Sequence, residues 1–184
     1  MNKNLKTIIF SWGGMLAGGT IIFHLLNIYV VPADGIVLKN IIDVCGLIFS
    51  FFCIYKAMYA YRALQGEKNP FPAIEGIKAS MGTLFVFTVL FLTYSLFFYN
   101  FVNKNFVEEY KQKQTAIVLN SDLPEEEKEK HIQATKQTTT TSYVVSNLLQ
   151  RLVLPATGML FMAAFMQRKP AKNVEAQHKE NQPS

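Results

Sequence analysis

Apart from Lys56 and Lys78, which lie near the ends of their runs, three ionisable side chains fall inside the long apolar stretches of the sequence: His24, Asp43 and Arg151. An ionised group at membrane depth costs about 2.5–3.5 kcal/mol on insertion scales, so such groups usually pair or line a path for ions. We therefore predict an intramembrane polar cluster in which Asp43 and Arg151 pair and His24 reaches the same layer. The cluster has two interpretations: a structural ion pair that fixes helix register, or a path for protons or ions.

The predicted pair requires Arg151 to bridge a difference in depth. Asp43 lies near the start of its apolar run and Arg151 roughly six residues deeper in another, an offset of about 9 Å on α-helices. A long arginine side chain can extend outward along the helix and close much of that distance. Pro155 has no N–H and frees the backbone carbonyl of residue 151, which favours a polar pocket at this level.

The sequence lacks the residues that a disulfide, a metal site or a catalytic site would require. Cys45 and Cys53 would lie about 12 Å apart along one helix, which is too far for a disulfide. The sequence contains no Cys-x-x-Cys pair and no Cys/His cluster, so no metal ligands are predicted. It also contains no Gly-x-Ser-x-Gly, no His-Glu-x-x-His and no nucleotide-binding glycine motif. We expect no catalytic residues, no cofactor and no enzyme activity.

The net charge of +5 does not indicate a nucleic-acid partner. The Lys and Arg residues stand at the ends of apolar runs, where positive charge sets membrane topology. No basic patch with interleaved aromatic residues occurs in a polar stretch. The partner that these charges indicate is the lipid bilayer.

Four apolar runs must carry the residues above, at about 8–31, 41–60, 77–102 and 143–166. A helix needs about 20 apolar residues to cross a bilayer, and each run has that length. We predict an all-α integral membrane four-helix bundle formed by one membrane domain, 1–184. Val31-Pro32-Ala33 resembles a signal cleavage site, but the first run is longer than a signal core of 7–15 residues. We therefore expect it to be kept as a span.

Small residues indicate where the helices pack. Gly14 and Gly18 form a Gly-x-x-x-Gly pair that would let two helices approach closely, within the bundle or between copies of the chain, so self-association stays open. A stripe of small and polar residues on the second run is predicted to be its buried face, with Gly46 and Ser50 as packing residues. Its members are Asp43, Gly46, Ser50, Cys53, Ala57 and Ala60.

The polar stretch 103–142 is predicted to form two helices that break at 120–124. Asn105 and Glu108 are spaced as a helix cap and its third-position partner, and Glu126 and Lys130 as an ion pair. The β-branched run 138–141 is the expected weak point before the fourth span. An aromatic belt is predicted at 94–101, and a polar, disordered tail at 167–184.

Four crossings place both termini on one side of the membrane, and both termini are basic at the membrane edge. Because basic residues accumulate on the cytoplasmic side, both termini are predicted to be cytoplasmic and the 103–142 loop to lie outside. The loop carries six Lys and seven acidic residues, so it is close to neutral. The sequence therefore predicts a membrane protein that crosses the bilayer several times.

Residues 61–78, YRALQGEKNPFPAIEGIK, are followed by an aromatic-rich helix and then by the segment Phe-Val-Glu-Glu at 106–109. This pattern, together with the four-span plan and the acidic PEEE loop, resembles the domain-of-unknown-function family numbered 4199, small inner-membrane proteins of Bacteroidetes-type bacteria. The resemblance covers most of the chain. It implies a location and an architecture but no activity and no site residues.

Two functional hypotheses follow. The first is a structural or interaction subunit that presents the helical outer loop 103–142 to a protein partner. The alternative is a small transporter or channel component with a polar site around Asp43 and Arg151. Transporters commonly contain inverted repeats, and no internal symmetry is visible in this sequence, which favours the first hypothesis.

Overall fold

The computed structural model describes residues 3–32, 35–66 and 70–167. Within these ranges the chain is helical apart from short connections. The six α-helices are α1 (Lys3–Tyr29), α2 (Ile36–Leu64), α3 (Ala73–Phe97), α4 (Phe106–Leu119), α5 (Glu125–Lys136) and α6 (Thr140–Phe165). The predicted all-α fold, with a helical loop between the third and fourth spans, is confirmed. The predicted tail lies outside the described residues from 168 onward.

Four helical stretches are long and apolar enough to cross a membrane: α1, α2, Ala73–Val102 and α6. They contain 27, 29, 30 and 26 residues, more than the roughly 20 that the hydrocarbon core requires. Each begins before the predicted run. Helix α2 also ends after it, at Leu64, whereas α1 and α6 end at Tyr29 and Phe165, just before the predicted ends. Hydropathy marks only the hydrocarbon layer, whereas the helical backbone continues into the polar interface. The protein is therefore a multi-pass membrane protein.

The chain divides into two compact units. The first unit consists of the described parts of Met1–Thr88 and Leu152–Ser184, and the second unit is Val89–Arg151. The boundaries fall inside α3 and α6, so each of these helices contributes one part to each unit.

In the first unit α1 packs against α2. The buried residues of α1 recur at steps of three and four, which places them on one stripe of the helix. They are Leu5, Ile9, Gly13, Leu16, Ala17, Thr20 and His24. Close approach occurs at Gly13, where an added Cβ would lie 2.6 Å from Val86 Cβ and 2.9 Å from the Thr83 carbonyl oxygen.

The small-residue face of α2 is buried over only part of its length. Cys53 and Ala57 are fully buried, and Gly46 and Ser50 are half-buried. Asp43 is exposed, so the predicted burial of this face does not extend to its N-terminal end. The physical reason is that Asp43 lies in the first turns of α2, where a polar interface satisfies a carboxylate better than a packed core does.

The connection between α2 and α3 is held by an aromatic and ionic contact. Phe71 is fully buried, and the Tyr61 ring meets it edge-on with centroids 6.1 Å apart. The Tyr61 hydroxyl donates to Glu75 Oε2 at 3.0 Å, and Lys78 Nζ donates to Glu75 Oε1 at 2.6 Å. Gly66 provides the turn with a φ of 79°, a conformation that favours glycine. These contacts, which lie in the segment that carries the family resemblance, join the end of α2 to the start of α3.

In the second unit α4 packs against α5 as a helical hairpin. Helix α4 ends at Leu119 and α5 begins at Glu125, so the predicted break at 120–124 is confirmed. The predicted Glu126–Lys130 pair is also confirmed, at 2.7 Å. Residues 137–139 separate α5 from α6, partly within the predicted weak stretch.

The predicted cap at Asn105 is wrong in its chemistry. Asn105 does precede α4, but its side chain makes no capping hydrogen bond. Its φ of −85° and ψ of −9° are already helical. A capping side chain needs the extended backbone that turns its oxygen toward the first free N–H groups.

The predicted aromatic belt is only partly an interface feature. Phe97 and Phe101 are exposed, as a belt requires, whereas Phe98 and Tyr99 are buried. A π-helical turn, Phe98–Val102, ends this span, and the Asn103 N–H donates to the Phe98 carbonyl at 2.8 Å. The wider turn changes the facing of the last residues of the span relative to a regular α-helix.

Candidate functional site

An acidic residue of the first unit is bound by a neutral amide. Asn27 Nδ2, near the end of α1, donates to Asp43 Oδ1 at 2.8 Å. Because a carboxylate only accepts hydrogen bonds, Asn27 must turn its NH₂ toward Asp43. The Asn27 Oδ1 is then buried without a hydrogen-bond partner among the described residues. This contact stabilises a carboxylate near the membrane edge without an opposite charge.

His24 lies on the buried stripe of α1, three residues before Asn27. His24 and Asp43 were predicted from the sequence as site residues, and Asn27 was not. The signal that could have found Asn27 is its spacing from His24, since residues three apart share a helix face.

A basic residue of the second unit is bound by an amide and a ring. Arg151 Nε donates to Asn147 Oδ1 at 2.9 Å, one helical turn earlier on α6. The guanidinium carbon lies 5.6 Å from the centroid of the Phe91 ring, and Phe91 is buried. A cation over an aromatic face is stabilised by about 0.5–2 kcal/mol, more where water is excluded.

The acidic residues of the second unit that form ion pairs form them on the hairpin. Glu108 pairs with Lys111, and α5 carries two more pairs, each between residues three or four apart. No carboxylate of Val89–Arg151 forms an ion pair with Arg151. The guanidinium is therefore held within this unit by neutral groups.

Tyr143, Asn147 and Arg151 follow one another at four-residue intervals and therefore lie along one face of α6. Asn147 accepts the hydrogen bond from Arg151, and Tyr143 lies one helical turn before Asn147 on the same face. The Tyr99 and Tyr143 rings meet edge-on with centroids 5.4 Å apart. We call Tyr99, Tyr143, Asn147 and Arg151 the polar ladder. Of its members, Arg151 was predicted as a site residue and Tyr99 as part of the interfacial belt.

The ladder stands on an aromatic cluster at the base of the hairpin. Phe106 of α4 lies 4.7 Å from Tyr99 and 5.2 Å from Tyr143, and Tyr110 lies 5.0 Å from Tyr143, between ring centroids. Aromatic pairs at these separations contribute about 0.5–1.5 kcal/mol each beyond the area they bury. The cluster therefore holds α4 against the beginning of α6.

Asp43 and Arg151 belong to different units, and each has its own partner there. Their pairing, and the transport role that would depend on it, stay predictions.

Among the predicted packing residues, Gly46 approaches α1, because an added Cβ would lie 3.6 Å from the Phe23 ring. Ser50 Oγ donates to the Gly46 carbonyl at 2.8 Å. An added Cβ on Gly14 or Gly18 would meet nothing within 4 Å in the described chain. Their predicted role therefore stays open for a contact between copies of the protein.

The tip of the hairpin exposes three large aliphatic side chains. Ile117 and Leu119 end α4, and Leu123 lies in the following connection. Their exposed fractions are 61%, 57% and 37%. Helix α5, the second helix of the hairpin, has no buried residue.

The family model described as "Protein of unknown function (DUF4199)" matches residues 11–168, which include most of the first span, the other three spans and the loop. No curated protein and no solved structure matches the chain.

Proposed function

The chain belongs to the DUF4199 family, and we propose that it is a non-catalytic structural or interaction subunit of its membrane that presents the α4–α5 hairpin to a protein partner. The observation that carries this proposal is the aliphatic tip formed by Ile117, Leu119 and Leu123. These residues lie outside the membrane-spanning helices, in the most highly charged segment of the chain. Large aliphatic side chains that are exposed at the end of a polar protrusion offer apolar surface to another protein.

The base of the hairpin supports the same role. The aromatic cluster of Tyr99, Phe106, Tyr110 and Tyr143 fixes α4 against the start of α6. A binding surface on an anchored element loses less conformational entropy on association than one on a free loop. The hairpin is thus anchored at one end and apolar at the other, as a docking element requires.

We also propose that the hairpin faces away from the cytoplasm and that both termini are cytoplasmic. The support is the distribution of charge, because the basic residues at both ends of the chain flank the first and fourth spans. The resemblance to small inner-membrane proteins of bacteria supports a bacterial inner membrane as that membrane.

In-cell photocrosslinking tests the docking role. A photoreactive benzoylphenylalanine in place of Ile117 or Leu119 is expected to give one discrete protein adduct on irradiation. The matched control is Gln133, which is exposed on α5 and away from the tip in sequence, and which should give no such adduct. In the chain that carries the photoreactive residue in place of Ile117, the additional substitution Leu119→Gln should reduce the yield of that adduct. Adducts to lipid alone, or equal adducts at Ile117 and Gln133, would contradict the proposal.

A further inference from the structure

Arg151 retains donors that its own unit does not use. Its Nε is bound to Asn147 and its plane lies over Phe91, which leaves the two terminal nitrogens at the far edge of the guanidinium. That edge presents two parallel N–H groups, the geometry that binds phosphate or carboxylate oxygens in a bidentate manner. Within Val89–Arg151 no carboxylate pairs with it.

The position of the guanidinium along α6 brings it close to the membrane interface. Side chains on a helix point back toward its N-terminus, and the bond from Arg151 to Asn147 shows this direction. The charge therefore lies near the level of Asn147, only one turn, or about 6 Å, from Tyr143 at the start of the apolar run. At this depth the long arginine side chain can place its guanidinium against a polar group at the membrane surface.

The remaining members of the polar ladder provide hydroxyl groups on the outward side of the charge. Tyr143 lies one helical turn before Asn147 on the same face of α6, and its ring meets that of Tyr99 edge-on with centroids 5.4 Å apart. Phenol O–H and guanidinium N–H groups are both donors to an anion. Tyrosine rings also favour the level of the lipid headgroups.

We infer that the polar ladder is a binding site for a phosphate group, with Arg151 as the bidentate ligand and Tyr143 as the adjacent hydroxyl donor. The phosphate can come from the headgroup of a lipid in the leaflet on the hairpin side or from a free phosphate that enters from the water on that side. An anion there supplies the opposite charge that the second unit does not give Arg151. This inference is independent of the docking role proposed for the hairpin tip.

The test measures the thermal midpoint of the full-length protein, purified and delipidated in a non-ionic detergent, as the ligand is titrated. A ligand that binds only the folded state raises this midpoint. The ligands are phosphatidylglycerol, diacylglycerol with the same acyl chains, and inorganic phosphate. We expect saturable stabilisation by phosphatidylglycerol and none by diacylglycerol if the source is lipid, and stabilisation by millimolar inorganic phosphate alone if the source is free phosphate. No stabilisation by either phosphate compound overturns the inference.

Variants locate the site. Arg151→Gln is expected to weaken phosphate binding by at least about tenfold, because it removes a charge-assisted bidentate contact. Lys56→Gln is the matched control, since the Lys56 Nζ also lies in a span and over two rings, 5.7 Å from Phe52 and 5.9 Å from Tyr59. It should leave binding unchanged. Equal losses in the two variants would show a general charge effect and overturn the inference.

A further pair of variants keeps the test valid if Arg151→Gln does not fold. Arg151→Lys retains the positive charge but not the planar pair of donors, and should still bind phosphate several-fold more weakly. Tyr143→Phe retains the ring and the aromatic cluster and removes one hydroxyl, so it should weaken binding by about two- to tenfold. Wild-type affinity in both variants would mean that the ladder does not hold the phosphate.

Discussion

At the scale of single residues, neighbouring positions on one helix have opposite roles. Gly13 and Gly14 are adjacent in α1, yet only Gly13 is pressed against Val86 and the Thr83 carbonyl. Successive residues on an α-helix point about 100° apart, so a shift of one position moves a side chain from a packed surface to an open one. The Gly-x-x-x-Gly motif indicated Gly14 and Gly18, whereas the tight contacts of α1 within the chain are at their neighbours Gly13 and Gly19.

Alanine substitution of these two glycines should separate their roles. Gly13→Ala is expected to destabilise the protein by about 1–3 kcal/mol, because its Cβ would overlap Val86 and the backbone at Thr83. Gly14→Ala has open space and the better helix former, so its stability should be unchanged or higher by up to about 1 kcal/mol. Unfolding in mild detergent, followed by circular dichroism, measures both. A loss for Gly14→Ala equal to that for Gly13→Ala would indicate a contact at Gly14 that the single chain does not contain.

At the scale of helices, the strongest predictions came from residues with local chemistry. Pro124 and the three glutamates that follow it mark the start of α5 because proline and acidic residues favour a first helical turn. Burial could not be predicted in the same way for Tyr99. Its sequence context, rich in aromatic residues at the end of a span, is that of an interfacial belt. Its packing depends on Phe106 and Tyr143, which come from two other helices.

Hydrogen exchange should distinguish the two ends of the hairpin. Helix α5 has no buried residue and its ion pairs are exposed, so its amides should exchange well before those of α1 and α3. The first turns of α4, next to the aromatic cluster, should be protected more strongly than α5. Mass spectrometry of peptides from Glu125–Lys136 and from Phe106–Tyr110 measures the difference. Protection of α5 equal to that of the spans would mean that a bound partner or a second copy covers it.

At the scale of the whole molecule, composition determined the class and packing determined the sites. Four long, predominantly apolar runs required a bilayer, and the structure contains four helices that can cross one. Hydropathy could not identify the hydrogen-bond partner of Asp43, because that partner, Asn27, lies sixteen positions away on another helix. Nor could it show that Asp43 and Arg151 belong to different units. Contacts between distant segments depend on helix rotation, which periodicity constrains only to within a face.

The proposed orientation of the molecule rests on the distribution of charge and can be tested with single cysteines. Starting from a Cys45→Ala, Cys53→Ala chain, a cysteine at Glu129 on α5 and one at Ala63 near the end of α2 mark opposite sides of the membrane, because one span separates the two segments. With both termini in the cytoplasm, a membrane-impermeant maleimide should label position 129 in intact cells and position 63 only after permeabilisation. Both positions are exposed, so a difference in labelling reports the side of the membrane. The reverse pattern would place the hairpin in the cytoplasm and its partner there with it, while equal labelling of both positions in intact cells would contradict the four-span threading itself.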